Sequence, residues 1–526
     1  MENKSSSLEK KMLRGTLILT VTSFVVKVLS AVYRVPFQNL VGDEGFYVYQ
    51  QVYPLYGIAM TFALSGLPIY LSKLIAGSQD AAEQQLIISK FLTVVGCLSV
   101  LSFTLIYFGS GIIAIAMGDT ALRPVIQAVS LVFLIIPFIS LYRGYYQGLM
   151  EMKPTAISQL VEQSIRVLII LVAGYLFLKL SLSVYQTGTI AMWGAVFGSI
   201  SGLATLVYYS FKKKVHFSWL KVRVLVDKTF TRKLLTQGGI LCVFSAYLIL
   251  FQLIDSFSVL HALRMNGLSD LSAKIAKGVY DRGQPLVQVG LVVAVSMTAT
   301  FLPLLTRYYI ENNRQRYDAT VQSYLKISRV VSSAAAIGLA LILPYINQAL
   351  FNENEGQLTL EIFVLSIFFV SMIQSYQTIY QSQNRVKHQF ISAVSGLVVK
   401  LLTTDWLTSD FGTLGASVST LLGLAVCLVM FHLHLHQLVK KSNESTRATA
   451  KLLLSLGIMT GSLLIYRWVI SLFVLHSRTL ALFLALLGVM IGVGSYLTCL
   501  IKLAVLNHSE WLMLPLGDKV VKQFKL

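Results

Sequence analysis

Long apolar segments follow one another along almost the whole chain, and each is close to or above the roughly 20 residues that a helix needs to cross a bilayer. The segments are continuous rather than alternating, which argues against a transmembrane barrel. Only 13% of the residues are charged, about half the share of a soluble domain. We therefore predict an all-α polytopic membrane protein of about fourteen transmembrane helices.

The expected helices are read from these apolar segments and the polar loops between them. They lie at approximately 14–37, 46–74, 86–108, 121–147, 154–180, 188–211, 233–260, 284–309, 324–351, 358–380, 388–404, 411–432, 450–472 and 479–506.

Loop charges predict the orientation. Lys and Arg concentrate in alternate loops, and most of the other loops are neutral or acidic; the exception contains Arg264, Lys274, Lys277 and Arg282. This bias predicts a multi-pass protein with both termini in the cytoplasm. The net charge of +20 is then explained by orientation and by contacts with anionic membrane lipids, and we expect no nucleic-acid partner.

The chain contains an internal repeat. Gln147, Lys153, Ser158 and Arg166 match Gln381, Lys387, Ser392 and Lys400 at one constant offset. Gly45-x-Tyr47 also matches Gly278-x-Tyr280. Each helix keeps its direction between the copies, which predicts two six-helix lobes related by a parallel pseudo-repeat. Such repeats are typical of transporters whose substrate binds between the halves.

The repeat sets the expected domain boundaries. We expect an N-terminal lobe (1–211), a basic cytoplasmic linker (212–232), a C-terminal lobe (233–437), two further helices (438–506) and a cytoplasmic tail (507–526).

Motifs for catalysis, metals or cofactors are not evident in the sequence. The four cysteines lie far apart inside apolar segments, and no P-loop, nucleophile triad or dinucleotide fingerprint is present. His432, His434 and His436 form an HxHxH without an evident third ligand, so we interpret them as membrane-interface residues. We expect no enzyme activity, no metal site and no cofactor.

Charges inside the predicted helices are the strongest candidates for function, because they are costly in a bilayer. Lys27 and Arg34 are seven residues apart and share one face of helix 1. We predict that they line a cationic cavity. The alternative is that Arg34 extends to the membrane interface and Lys27 pairs with a carboxylate elsewhere.

Further charges and amides leave two interpretations open. Glu162 and Arg166, one turn apart, form an internal ion pair or take part in coupling. Asp255 pairs with Lys27 or Arg34, or binds a coupling cation. Two other cations, Arg143 and Lys400, are candidates for the cavity wall. The glutamines Gln374, Gln377 and Gln381 share a face of helix 10 and either contact sugar hydroxyls or join helices.

Several stretches resemble a known family. They are Arg14-Gly15-Thr16-Leu17, Tyr33-Arg34-Val35-Pro36-Phe37, Gly42-Asp43-Glu44-Gly45, Ser65-Gly66-Leu67-Pro68, Arg143-Gly144-Tyr145-Tyr146-Gln147-Gly148, Met152-Lys153-Pro154-Thr155 and Pro515-Leu516-Gly517. Together they resemble the polysaccharide transporter family of Gram-positive bacteria. That family includes stage V sporulation protein B-like proteins and MurJ-like lipid II flippases, and it belongs to the multidrug/oligosaccharidyl-lipid/polysaccharide exporter superfamily.

The resemblance implies a V-shaped fold of two six-helix lobes plus two helices, located in a bacterial plasma membrane. It implies flipping of an undecaprenyl-pyrophosphate-linked saccharide, a cell-wall or surface-polysaccharide precursor such as lipid II, by alternating access. A cationic cavity around Lys27, Arg34, Arg143 and Lys400 would suit the pyrophosphate. We expect a monomer, and cell-wall synthesis enzymes are a candidate class of partner.

Two other functions are compatible with the same sequence. One is a cation-coupled multidrug exporter of the same superfamily, although Lys27 and Arg34 would repel cationic drugs. The other is a scaffold for envelope assembly that transports nothing.

Overall fold

A computed structural model describes residues 18–19, 21–213, 227–435, 446–472, 477–514 and 517–524. Within these ranges the chain is helical and contains no β-strand. Outside the described residues lie the Arg14-Gly15-Thr16-Leu17 stretch, most of the predicted linker, His436 and the Pro515-Leu516 pair.

The helices are numbered in chain order. They are α1 (21–32), α2 (Arg34–Thr61), α3 (Leu67–Ala76), α4 (Ala81–Phe108), α5 (Ser110–Ala116), α6 (Arg123–Gly148), α7 (Met152–Leu180), α8 (Val184–Lys212), α9 (Lys228–Lys233), α10 (Gly239–Ser245), α11 (Tyr247–Met265), α12 (Asp270–Asp281), α13 (Gly283–Gly290), α14 (Val292–Ile310), α15 (Arg314–Phe351), α16 (Gln357–Val364), α17 (Ser366–Ser382), α18 (Val386–Phe411), α19 (Thr413–Leu435), α20 (Thr446–Ser471), α21 (Arg478–Lys502), α22 (His508–Leu512) and α23 (Gly517–Phe524).

Twelve helical segments of the described chain are long and apolar enough to span a membrane. The first, Val21–Ala76, covers the first two predicted helices, and Gly42, with a left-handed φ of 70°, interrupts the helical backbone between them. The eighth predicted helix, 284–309, is not among the twelve, and the structure divides it between α13 and α14. The multi-helix membrane fold is confirmed, whereas the count of fourteen is not.

Local sequence explains several helix boundaries. Ser183 and Gln186 form a capping box at the start of α8, and the Asp80 side chain caps α4 by accepting from the Glu83 amide. Two π-helical turns, Phe62–Gly66 and Leu234–Gly238, precede α3 and α10. Such turns shift the helical register and are frequent at functional sites.

The chain forms two compact units, unit 1 (residues 1–281) and unit 2 (residues 282–526). In unit 1, α6 packs against α3, α4 and α8, while α2 packs against α11 and α12. In unit 2, α15 packs against α17 and α21, and α18 packs against α19. Segment α9–α12 therefore packs in unit 1, although it belongs to the second sequence repeat. The predicted lobe boundaries remain a prediction.

Candidate functional site

Glycines on α8 bring this helix close to α7. A Cβ at Gly198 would lie 2.8 Å from the Glu162 carbonyl oxygen, and one at Gly194 would lie 3.1 Å from the Arg166 carbonyl oxygen. A side chain would not fit here without moving backbone. This contact fixes the part of α7 that contains Glu162 and Arg166.

Glu162 forms a buried ion pair with Arg143 of α6. The Arg143 Nη2 lies 2.6 Å from the Glu162 Oε2, and both side chains are almost fully buried. Arg143 Nε also donates to Ser158 Oγ at 3.1 Å, and Ser199 Oγ donates to Glu162 Oε1 at 3.2 Å. The ion pair expected between Glu162 and Arg166 is therefore wrong in its partner: α6 supplies the cation. Arg143, expected at a cavity wall, is fully buried in this pair.

Arg166 instead contacts tyrosines. Its Nη2 donates to the Tyr33 hydroxyl at 2.7 Å and to the Tyr49 hydroxyl at 3.3 Å, and its Nη1 donates to the Tyr56 hydroxyl at 2.8 Å. The guanidinium also lies 4.2 Å from the centre of the Tyr56 ring. Its described contacts therefore include no carboxylate.

Arg34 is fully buried beside the same tyrosines. Its guanidinium lies 4.4 Å from the Tyr53 ring centre and 6.0 Å from the Tyr33 ring centre. None of its three side-chain nitrogens has a hydrogen-bond partner among the described residues. A cation–π contact is worth about 0.5–2 kcal/mol, which falls short of the several kcal/mol that burying an ion costs.

These six side chains form one set, the tyrosine–arginine cluster: Tyr33, Tyr49, Tyr53, Tyr56, Arg34 and Arg166. The two arginines share the faces of Tyr33 and Tyr53. The two arginines are among the site residues predicted from the sequence, whereas Tyr49, Tyr53 and Tyr56 are not. The signal was available, because Tyr49, Tyr53 and Tyr56 follow the i, i+4, i+7 spacing of one helical face.

The buried carboxylates of unit 1 have contacts of their own within the described chain. Glu162 pairs with Arg143, Asp119 with Lys274 and Asp281 with Lys277, and Asp255 Oδ2 accepts from the Tyr280 hydroxyl at 2.9 Å. Asp255 was expected to pair with Lys27 or Arg34 or to bind a coupling cation; its described hydrogen bond goes to Tyr280, and both alternatives remain predictions. The described hydrogen bonds and ring contacts of Arg34 and Arg166 thus include no carboxylate.

Lys27 lies on α1, two helical turns before Arg34, and its side chain is exposed. A charge on a membrane helix either reaches the interface or faces an aqueous cavity. In this conformation Lys27 is thus accessible, whereas Arg34 is buried.

The cations that broke the loop-charge pattern lie near carboxylates. Arg264 pairs with Asp270, Lys274 lies 2.8 Å from Asp270 and 3.3 Å from Asp119, and Arg282 pairs with Glu353. The hydrogen bond from Lys274, aided by Arg264, lowers the pKa of the Asp270 carboxyl below its ordinary value. These carboxylates offset the excess positive charge of that loop.

Unit 2 contains the remaining predicted site residues. Lys400 is fully buried, and its Nζ donates to Thr420 Oγ1 at 2.8 Å and to Ser419 Oγ at 3.0 Å. Gln374 and Gln377 are half-buried, and each has one amide atom without a hydrogen-bond partner in the described chain, whereas Gln381 is exposed.

The described histidines contact hydroxyl groups. His432 Nδ1 lies 2.9 Å from the Tyr376 hydroxyl, and His434 Nδ1 lies 3.3 Å from Ser392 Oγ. No metal-binding group of three His, Cys, Asp or Glu side chains occurs among the residues that the structure describes.

An apolar groove of about 410 Å³ lies in unit 2. Its walls come from α15, α20 and α21, with Trp511 and Leu514 near one end. Small residues such as Gly338, Gly488 and Gly492 contribute to the lining. A groove of this composition suits a hydrocarbon chain.

Comparison with known proteins identifies relatives along almost the whole chain. Residues 12–309 match the model of a family described as "Polysaccharide biosynthesis protein". The chain is 34% identical to the membrane protein YabM of Bacillus subtilis, over 97% of this chain and 96% of the relative. It is 25% identical to the lipid II flippase MurJ of the same organism, over 97% and 98% of the two chains.

Solved structures share the fold. A lipid II flippase MurJ in an inward closed conformation matches with a TM-score of 0.69 and 15% identity, over 92% of this chain and 98% of that one. An inward-facing multidrug transporter of the MATE family matches with a TM-score of 0.64 and 12% identity, over 78% and 93%.

Proposed function

Because the chain belongs to the polysaccharide biosynthesis protein family, we propose that it flips an undecaprenyl-pyrophosphate-linked saccharide from the inner to the outer leaflet of a bacterial plasma membrane. Its relatives include a lipid II flippase, and the chain is a multi-pass membrane transporter and not an enzyme. The lipid-linked saccharide, the direction of transport and the cytoplasmic location of both termini belong to the proposal.

The tyrosine–arginine cluster is the observation that carries this proposal. Arg34 and Arg166 are buried side by side, and no carboxylate is among their described contacts. Buried cations without such partners are expensive. A pyrophosphate supplies several negative oxygens, which arginine binds with paired hydrogen bonds.

Lys27 and Arg34 are the proposed phosphate ligands. Exposed Lys27 meets the headgroup first. Arg34 is closed off here, so it reaches the phosphates only when the surrounding helices move apart, as alternating access requires. Arg143 and Lys400 already have protein partners, and we propose that each of them holds its own helix in place.

The apolar groove of unit 2 supports a lipid substrate. Its walls offer a long chain dispersion contacts without polar groups to desolvate. The glutamines Gln374 and Gln377, with their unpaired amide atoms, are proposed to donate to and accept from sugar hydroxyls.

A reconstitution experiment tests this function. Fluorescent undecaprenyl-pyrophosphate-linked sugar is placed in proteoliposomes, and its transfer between leaflets is followed for wild type and for Lys27→Ala/Arg34→Ala. We expect the double variant to lose transport. Lys179→Ala, which removes an exposed cation from α7, is the matched control and should transport at the wild-type rate.

Absence of transport by the wild-type protein would reject this substrate class. If wild type transfers no more substrate than empty vesicles, with a membrane potential applied, the substrate class is wrong. Uptake of a cationic dye by the same vesicles would then favour the multidrug exporter.

A further inference from the structure

Two helix-to-helix turns of unit 2 enclose a second cavity, of about 310 Å³. We call it the turn pocket. One turn, at 311–313, joins α14 to α15, and the other, at 383–385, joins α17 to α18. Residues from the two turns and from the adjoining helices line the pocket, and every lining side chain can form hydrogen bonds. The pocket thus contrasts with the apolar groove.

The two turns share one backbone geometry. Asn312 and Asn384 are both left-handed, with φ of 53° and 55°. Asn313 N donates to the Tyr308 carbonyl at 3.1 Å, and Arg385 N donates to the Tyr380 carbonyl at 3.0 Å, which closes each turn five residues back. Each turn therefore leads directly into a long helix, whose amino-terminal end carries partial positive charge.

Tyr317 of α15 connects the two sides of the pocket through hydrogen bonds with residues at the second turn. Its buried hydroxyl lies 2.9 Å from Ser382 Oγ and accepts from Gln383 Nε2 at 3.0 Å. The Tyr309 ring lies 5.8 Å from the Tyr317 ring and is 45% exposed. The wall is thus preformed, and one side of the pocket stays open.

Arginines at the start of each helix define the charge of the pocket. Arg314 is the first residue of α15, and Arg385 immediately precedes α18, whose end has no side-chain cap. Asp318 is the only acidic lining residue, and its Oδ2 lies 4.0 Å from Arg314 Nε, at the limit of an ion pair. Two guanidinium groups and the α18 end without a side-chain cap favour an anion, whereas a carboxylate such as Asp318 can accept hydrogen bonds from neutral donors.

We propose that the turn pocket binds a phosphate ester that carries free hydroxyl groups, with Arg314 and Arg385 on the phosphate and Asp318 on the hydroxyls. An arginine guanidinium can donate paired hydrogen bonds to phosphate oxygens. A carboxylate beside the arginines favours a phosphate ester with hydroxyl groups over a phosphate without them. The ligand is either a glycerophosphate lipid headgroup or a soluble sugar or glycerol phosphate. Exposed Ile310 next to the pocket offers apolar surface to a lipid tail.

The first experiment uses the full-length protein in detergent. Native mass spectrometry measures retention of phosphatidylglycerol, with phosphatidylcholine as the reference lipid, and a titration measures binding of glycerol 3-phosphate. We compare wild type with Arg314→Gln/Arg385→Gln. The control, Arg316→Gln/Lys387→Gln, removes two exposed cations from the same helix ends outside the pocket. Because all four side chains are exposed, we expect both variants to fold, and thermal unfolding verifies this.

We expect the pocket variant to lose at least about tenfold in affinity for one probe, which corresponds to about one charged hydrogen bond. The control should bind as wild type does. Loss for phosphatidylglycerol identifies a lipid headgroup, and loss for glycerol 3-phosphate alone identifies a soluble ester. Equal binding by all three proteins, or equal losses in both variants, would overturn the proposal.

A second variant tests the hydroxyl selection separately. Wild type should prefer phosphatidylglycerol to phosphatidic acid, whose phosphate lacks the terminal glycerol with its free hydroxyls, or glycerol 3-phosphate to inorganic phosphate. Asp318→Asn should bind the phosphate group at least as tightly and lose this preference. If Asp318→Asn keeps this preference, Asp318 does not bind the hydroxyl groups and that part of the proposal is wrong.

Discussion

Glu162 of α7 pairs with Arg143 of the neighbouring helix α6, at 2.6 Å, and not with Arg166 one turn along its own helix. The ion pair thus joins two helices instead of stabilising one. It also releases Arg166 to the tyrosines, so the pairing of Glu162 determines the charge of the tyrosine–arginine cluster.

Removing one partner of this ion pair should destabilise the protein. Glu162→Gln leaves Arg143 buried without a countercharge, which costs roughly 3–5 kcal/mol of unfolding free energy. We expect a large fall in the thermal unfolding midpoint in detergent. Glu151→Gln breaks the half-exposed pair with Lys213 and should cost less than about 1 kcal/mol. Equal midpoints for both variants would show that the buried pair is not structural.

Arg34 should behave in the opposite way, because none of its side-chain nitrogens has a hydrogen-bond partner in the described chain. Arg34→Met removes a poorly compensated buried cation and should raise the unfolding free energy by about 1–3 kcal/mol, while abolishing transport. Thermal unfolding and the proteoliposome assay measure the two effects. Arg143→Met is the matched comparison and should lower stability. If Arg34→Met unfolds more easily than wild type, Arg34 stabilises the folded protein and this prediction is wrong.

The close approach of α7 and α8 predicts that a single methyl group will disturb the cluster. In Gly198→Ala the new Cβ would meet the Glu162 carbonyl oxygen at 2.8 Å, so the helices must separate. We expect lower stability and slower transport, because Glu162 and Arg166 move together. Gly96→Ala on α4, where no atom lies within 4 Å of the new Cβ, should gain up to about 1 kcal/mol from helix propensity. If Gly198→Ala is as stable and as active in transport as wild type, the close contact of α7 and α8 does not constrain the cluster and this prediction is wrong.

The contact of Asp270 with Lys274 should depend on pH. The pKa of Asp270 is lowered in the folded protein, mainly by the hydrogen bond from Lys274. Its stabilisation is therefore present above the ordinary carboxyl value of 3.8 and is lost as pH falls through the lower folded value. Asp270→Asn should unfold slightly earlier than wild type near neutral pH, by less than about 1 kcal/mol. The two proteins should converge in strong acid; a difference that persists there would exclude this linkage.

Apolar segment length predicted most of the helices, because burial in lipid is a property of the local sequence. It failed at 270–281, where α12 carries Asp270, Lys274, Lys277 and Asp281. The pairing of these charges with one another and with Asp119 depends on tertiary packing. Hydropathy cannot detect such neutralisation, so this helix was interpreted as a loop.

The candidate site was predictable only in its single-helix features. The shared face of Lys27 and Arg34 follows from helical periodicity, as does the tyrosine stripe of α2. The pairing of Glu162 was not predictable, because it requires knowing that α6 lies against α7. Sequence spacing alone favoured Arg166, because Arg166 lies one turn from Glu162 on the same helix.

The inclusion of α9–α12 in unit 1 affects the order of synthesis. When α8 leaves the translocon, unit 1 still lacks residues 213–281. At about 5–20 residues per second, these take roughly 3–14 s to emerge. During this interval the α2 surface that will bind α11 and α12 is without its partners. Lipids, chaperones or the insertion machinery must cover that surface in the nascent protein.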